Sequence, residues 1–355
     1  MCESTGSKER KMSAIAMKAT SGEEETVSTT AMQAIVCDRY GPVERLRPEE
    51  IEKPVLDADR VIVRVRAASV NPVDLHSIKG GLLIRLTSGL RGPKQSVPGV
   101  DVAGVVEAVG ENVTDFRPGD EIFGTGPGAL AEYLRGGKNL VPKPANLTFE
   151  QAAAIPVAGI TALQGLRDKG LLHAGQTVLI NGAAGGVGTF AVQIAKAFGG
   201  EVTAVCSTRN VDLVRSLGAD HVVDYTHEDF ARSEQDYDIV FDLVGNRPLA
   251  DLRRVLKPEG ILVLSGGGHD RGHGGGMRGP LVLIGKSLLL SRFVRQKLVF
   301  FLAQINKADL LVLKDLIEAG KVMPVVDRTY PLSETAQAFR YLEAGHARGK
   351  VIVTV

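Results

Sequence analysis

The chain has 355 residues, with 42 lysines and arginines against 41 aspartates and glutamates and a formal net charge of +1. That balance, with no basic cluster beyond Lys8 to Lys11, argues against nucleic acid or an acidic membrane surface as the main partner. The length suits two domains. Cys2, Cys37 and Cys206 are too few and too scattered for a disulfide framework and fit a reducing, cytoplasmic setting, and no apolar run nears the roughly 20 residues of a membrane span.

Residues 1–31 are polar, rich in Ser, Thr, Glu and Lys, and are expected to be disordered. Glu23-Glu24-Glu25 counts against an organelle transit peptide, and no apolar core of a secretory signal is seen. Strands are expected at Gln33 to Cys37 and Val61 to Ala67, followed by a break at Asn71-Pro72-Val73-Asp74 and a loop-like stretch from Gly80 to Pro98. Further β segments lie around Gly119 to Gly124 and Ala131 to Leu134. The texture turns helical from Glu150. Strands at Thr177 to Ile180, Val202 to Cys206, His221 to Val223, Ile239 to Val244, Ile261 to Leu264 and Val299 to Ala303 then alternate with helical stretches, as a doubly wound parallel sheet requires. Helices at Lys307 to Ala319 and Ser333 to Ala344 and a strand at Lys350 to Val355 close the chain.

The densest signal is Thr177 to Arg209. A buried strand breaks at Asn181-Gly182 into a glycine-rich turn that runs into a helix with Val187, Phe190, Ala191, Ile194, Ala195 and Phe198 on one face, and a second strand follows. Ala183, Gly185 and Gly188 occupy the three small-residue positions of a dinucleotide fingerprint, with Ala184, Gly185, Gly186, Val187 and Gly188 forming the turn and the helix start. Free N–H groups and the positive dipole end of that helix suit a pyrophosphate. An NAD site carries an acid at the end of the second strand. Here the sequence is Cys206-Ser207-Thr208-Arg209, so NADPH is the expected cofactor, with Arg209 and Ser207 on the 2′-phosphate. The glycine-rich stretch from Ser265 to Gly276 reads as a mobile cofactor-side lid; His269 and His273 have no helix to hold them on one face as metal ligands.

The motifs Ser69 to Asp74, Pro98 to Gly104, Pro118-Gly119-Asp120, Ala131-Glu132-Tyr133, Gly159 to Ala162, Asn181 to Gly188 and Gly349-Lys350 occur in the order that resembles the zinc-independent quinone oxidoreductase-like branch of the medium-chain dehydrogenase/reductase superfamily. The resemblance implies an α/β protein with a β-rich GroES-like catalytic domain (residues 32–157 and 304–355) interrupted by a Rossmann domain (158–303), and a homodimer built through the Rossmann sheet edge. Zinc alcohol dehydrogenases of the same superfamily carry Cys and Gly-His-Glu ligands where this chain reads Asn71-Pro72-Val73-Asp74 and Gly99-Val100-Asp101, so no zinc is expected. The resemblance further implies that Asn71 and Thr161 orient the nicotinamide, and that Tyr225, Val244, Ser265 and Lys350 approach the cofactor.

The implied reaction is hydride transfer from NADPH to a quinone or an α,β-unsaturated carbonyl. Solvent is the default proton donor, His76 a tentative one and Tyr133 a weaker one. Phe293, Phe300 and Phe301 are candidates for an apolar acceptor wall. The alternatives are an enoyl-thioester reductase, whose basic rim would come from Lys79, Arg85, Arg91 and Lys94, and an NADPH-binding sensor or structural protein with little turnover.

Overall fold

The computed structural model describes residues 31–81, 84–86, 89–90, 92–93, 96–232, 235–265 and 295–355. The expected N-terminal disorder, the lid histidines His269 and His273, and Phe293, Arg91 and Lys94 lie outside them. Residues Ala31–Val355 form one compact unit. Its strands, in chain order, begin with β1 (Ala31–Val36), β2 (Arg47–Glu52), β3 (Val61–Val70), β4 (Asp101–Val109), β5 (Glu121–Thr125), β6 (Tyr133–Gly136) and β7 (Leu140–Pro142). The second half holds β8 (Thr177–Asn181), β9 (Glu201–Cys206), β10 (His221–Asp224), β11 (Tyr237–Asp242), β12 (Leu256–Leu264) and β13 (Lys297–Phe300), then β14 (Val326–Pro331) and β15 (Lys350–Thr354).

Two principal sheets result. One has the order β14-β15-β3-β4-β5-β7, with β6 also on β3, and every pairing is antiparallel except β14 with β15. The last strand of the chain therefore lies against β3, an early one. The other sheet is wholly parallel in the order β10-β9-β8-β11-β12-β13. Chain order reverses between β8 and β11, and the crevice outside the carboxyl ends at such a reversal is where open α/β sheets bind ligands.

The parallel strands read as continuous apolar runs because both faces are covered. Val178 and Ile180 of β8 pack in the largest hydrophobic cluster with Phe190, Ala191, Ile194 and Ala195 of the helix Gly186–Ala197, the face expected from their spacing. Leu179 points into a separate cluster with Val205, Val240 and Leu262. Ile261 to Leu264 is the C-terminal part of β12. The expected strand at Val299 to Ala303 lies earlier, at Lys297–Phe300, and Phe301 is buried in the largest core cluster while Phe300 packs against the smaller one. Both phenylalanines thus have core partners.

Candidate active site

Asn71 closes β3 and caps the helix Pro72–Lys79, where the sequence suggested only a break. Proline at the first helical position is pre-set for a helix, and the carboxylate three residues after the cap satisfies the cap's own N–H. Here Asn71 N–H donates to Asp74 Oδ2 at 2.9 Å. The Asn71 side chain, 2 % exposed, donates from Nδ2 to Asp101 Oδ2 at 3.0 Å and accepts at Oδ1 from Lys350 Nζ. Asp101 Oδ2 also accepts from Ser69 Oγ at 2.7 Å, and its Oδ1 accepts from Val157 N–H at 3.0 Å. Thr161, one turn further along the helix Pro156–Gln164, donates its hydroxyl to Val157 O at 2.6 Å. Asn71 and Thr161 thus belong to one hydrogen-bonded network whose hub is Asp101.

Lys350 is 4 % exposed, and its Nζ lies 3.5 Å from Asp101 Oδ2. It enters the site because Gly349 precedes it with φ +97°, a conformation that favours glycine, and a Cβ there would stand 2.4 Å from Val325 O. Gly349 N–H donates to Ala184 O at 2.9 Å, which fastens the start of β15 to the glycine-rich turn. Burial lowers the Lys350 pKa against the opposing pull of Asp101 and Asp74. Burial and then the Asp101 charge raise Asp74 to about 7.

A pH effect on stability follows. The folded chain keeps the Asp74 proton up to about pH 7, whereas an unfolded aspartate releases it near 3.8. Between those values the folded state binds more protons, so this group's contribution makes stability fall as pH rises, by on the order of a few kcal/mol in all. Asp74→Asn removes that contribution. Melting temperatures measured from pH 4 to pH 8 are expected to show the difference between variant and wild type growing in the variant's favour toward pH 7.

The glycine-rich turn meets the requirements of a pyrophosphate cradle. A Cβ on Gly188 would lie 2.1 Å from Gly182 O, so the helix packs on the turn only with glycine there. A Cβ on Gly185 would meet nothing nearer than Gly182 O at 3.5 Å, which leaves open space beside the helix N-terminus. That space, bounded by the first free N–H groups of the helix, fits a dinucleotide's phosphates. Val244 flanks the turn, its Cγ2 2.7 Å from where a Cβ on Gly182 would stand. At the reversal itself Asn181 Nδ2 donates to Asp242 Oδ1 at 2.9 Å, and Val244 and Gly245 N–H donate to the same oxygen. Ser265 N–H donates to Asp242 O, which places it at the end of the neighbouring strand.

At the end of β9, Arg209 is exposed and donates to His346 O at 2.8 Å, one use of its five N–H groups. Ser207 Oγ accepts from Asn210 Nδ2, and Tyr225 is 55 % exposed, with its N–H on Cys206 O. The Cys206 thiol beside them is pushed up to about 11 by burial, so it is not a reactive thiolate.

His76 is exposed on the helix Pro72–Lys79, two residues past buried Asp74 and hence on another side of it. Tyr133 lies in β6 with the Lys53 ammonium 4.2 Å from its ring centre. Lys79 pairs with Glu343, and Arg85 donates to Gly80 O and stacks on Tyr40. Neither cation is therefore a bare rim charge. Among the described residues no group of three or more His, Cys, Asp or Glu is placed to hold a metal ion, and no helix is long and apolar enough to cross a membrane.

A parallel sheet with this strand order, a fingerprint turn at its first strand and a second sheet fastened to that turn through Gly349 define a dinucleotide-binding oxidoreductase fold. Residues 57–161 match the alcohol dehydrogenase GroES-like domain family, and residues 217–353 match the zinc-binding dehydrogenase family. Mouse mitochondrial NAD(P)H oxidoreductase RTN4IP1 is 37 % identical over 92 % of this chain and 90 % of its own length. The chloroplastic NADPH-dependent alkenal/one oxidoreductase of Arabidopsis thaliana is 37 % identical over 91 % of this chain and 79 % of its own. The quinone oxidoreductase structure from Coxiella burnetii superposes with a TM-score of 0.80 at 31 % identity, covering 92 % of this chain and 99 % of that one. The chain belongs to the medium-chain dehydrogenase/reductase superfamily, among its quinone oxidoreductases and alkenal/one reductases.

Proposed function

We propose that the protein is an NADPH-dependent reductase of quinones and α,β-unsaturated aldehydes or ketones that works without zinc. The observation that carries the reading is the pairing of an open phosphate cradle at Gly185 with an acid-free end of β9 bearing Arg209. The relatives named as an NADPH-dependent alkenal/one oxidoreductase and a quinone oxidoreductase support it. Bound NADPH supplies a hydride.

Gly185, Gly186, Val187 and Gly188, with Ala184, hold the pyrophosphate on the helix N-terminus. Arg209, Ser207 and Tyr225 hold the adenosine 2′-phosphate end, and Val244 and Ser265 flank the crevice. Asn71, Thr161 and Lys350 set the nicotinamide end. In an enone the β-carbon accepts the hydride, the C=C electrons move toward the carbonyl oxygen, and the α-carbon takes a proton from water, or through His76 from the exposed side of its helix. Positioning by the fixed Asn71 network supplies most of the catalysis in this account.

The test is oxidation of NADPH and NADH, with chelator present, by a panel of quinones, conjugated enals and enones and an enoyl thioester. Chelator-resistant turnover that prefers NADPH and a quinone or enone is expected. Tight NADPH binding without turnover across the panel would move the protein to the binding-protein class. We further place the protein in the cytoplasm as a homodimer; an organellar signal from the tagged full chain, or a monomer mass in light scattering, would overturn those two points.

A further inference from the structure

The Lys350 side chain is only 5 % exposed, and among the described residues Lys143, at 6 %, is comparably buried. Removing an ammonium from water is costly, and a buried ion pair is not in general a net source of stability. The placement of Lys350 therefore calls for another account, and the geometry supplies one. With Lys350 Nζ on Asn71 Oδ1 and Asp101 Oδ2 on Asn71 Nδ2, the amide has one permitted orientation. A flipped amide would set its NH2 against the ammonium and its oxygen against the carboxylate. On the other side, Asp101 Oδ1 takes the N–H of Val157, one of the first-turn groups that a helix cannot satisfy internally. That bond fixes the helix bearing Thr161 to the start of β4.

The Lys350 stem also touches the cofactor turn: a Cβ on Gly186 would stand 3.0 Å from Lys350 Cδ. Gly349 N–H on Ala184 O holds the same segment to the turn. One buried side chain thus spans the phosphate cradle and the Asn71 amide.

We propose that the Lys350–Asp101 pair is the positioning device of the nicotinamide end: it locks the Asn71 amide and the Thr161 helix in register with the phosphate turn, so that the ring is held in one orientation. This rests on the reading of the crevice as an NADPH site. Lys350 and Asp101 act here through Asn71 and Thr161, as positioning residues.

The full-length chain and its Lys350→Met, Lys350→Arg and Asp101→Asn variants test this with two ligands, NADPH and 2′,5′-ADP, which carries the adenosine end alone. In Lys350→Met, 2′,5′-ADP affinity is expected to stay within about twofold, while the additional affinity of NADPH and the fluorescence enhancement of its bound ring fall about tenfold. With 1,4-naphthoquinone, kcat is expected to drop at least about tenfold with the quinone KM within about threefold, and Lys350→Arg to recover part of the loss. If Lys350→Met does not fold, Asp101→Asn, of equal volume, is read in the same way.

A lowered melting temperature with unchanged NADPH binding, ring fluorescence and kcat would overturn the proposal. Wild-type protein that binds NADPH yet reduces no acceptor would sink the reductase reading alone, since the two-ligand comparison still decides the role of Lys350. Wild-type protein that binds no NADPH overturns both.

Discussion

Alanine at Gly188 is expected to abolish NADPH binding and to destabilise the fold, whereas alanine at Gly185 is expected to weaken binding strongly and leave the fold intact. The two glycines lie three residues apart, Gly185 capping the helix and Gly188 in its first turn, but their surroundings are opposite. At Gly188 the added methyl would collide with main chain, 2.1 Å from Gly182 O and 2.6 Å from the Ala183 carbonyl carbon, and backbone cannot step aside as a side chain does. Over-packing of this kind costs about 1–3 kcal/mol or more, read as a lower melting temperature. Gly185 has φ −80°, which alanine adopts freely, and its methyl would meet only Gly182 O at an ordinary 3.5 Å. The protein accommodates that methyl; a pyrophosphate in the same space cannot. Gly185→Ala should therefore melt like wild type while its NADPH affinity, measured by fluorescence titration, falls by about two orders of magnitude, the worth of two good charge-assisted hydrogen bonds. Unchanged affinity would mean that the phosphates lie elsewhere.

The second large effect concerns cofactor choice. Arg209→Gln should lower NADPH affinity by about tenfold to a hundredfold, because one charged contact to a phosphate contributes about 1.5–3 kcal/mol, and should leave NADH within about twofold. The guanidinium now donates to His346 O from an exposed position, so losing that bond costs little, and the variant should keep its melting temperature. Kinetic constants with each nucleotide give the ratio. Equal losses for NADPH and NADH would show that Arg209 serves the crevice wall and not the 2′-phosphate.

Much of the parallel-sheet half was legible in the sequence because its information is local. A buried strand, a tight turn and an amphipathic helix occupy Thr177 to Ala197 without interruption, and each later strand repeats the apolar signature. The β-rich half was less so. Arg47–Glu52 and Val326–Pro331 are polar, largely surface-facing strands with almost no periodic signal, and Leu140–Pro142 is too short to show one. The helix Pro72–Lys79 has a local start signal, Asn71 with Asp74 three residues on and Pro72 between them, which marks a helix start as well as a break. The site network was the least legible part. Asn71 and Lys350 are 279 positions apart, and what buries Lys350 is the pairing of the final strand with β3, which no local pattern encodes. In the sequence alone Lys350 reads equally well as a solvent-facing lysine that begins a strand, and Asp101 as a loop acid.

The central claim, hydride delivery to a conjugated acceptor, is tested most directly by tracing the atom. NADPH carrying deuterium at the transferable position of nicotinamide C4 is incubated with the enzyme and a conjugated enone, and the product is examined by NMR. One deuterium on the β-carbon of a saturated ketone is the predicted result. Deuterium on the carbonyl carbon of an allylic alcohol, or a saturated ketone with none at the β-carbon, would contradict it.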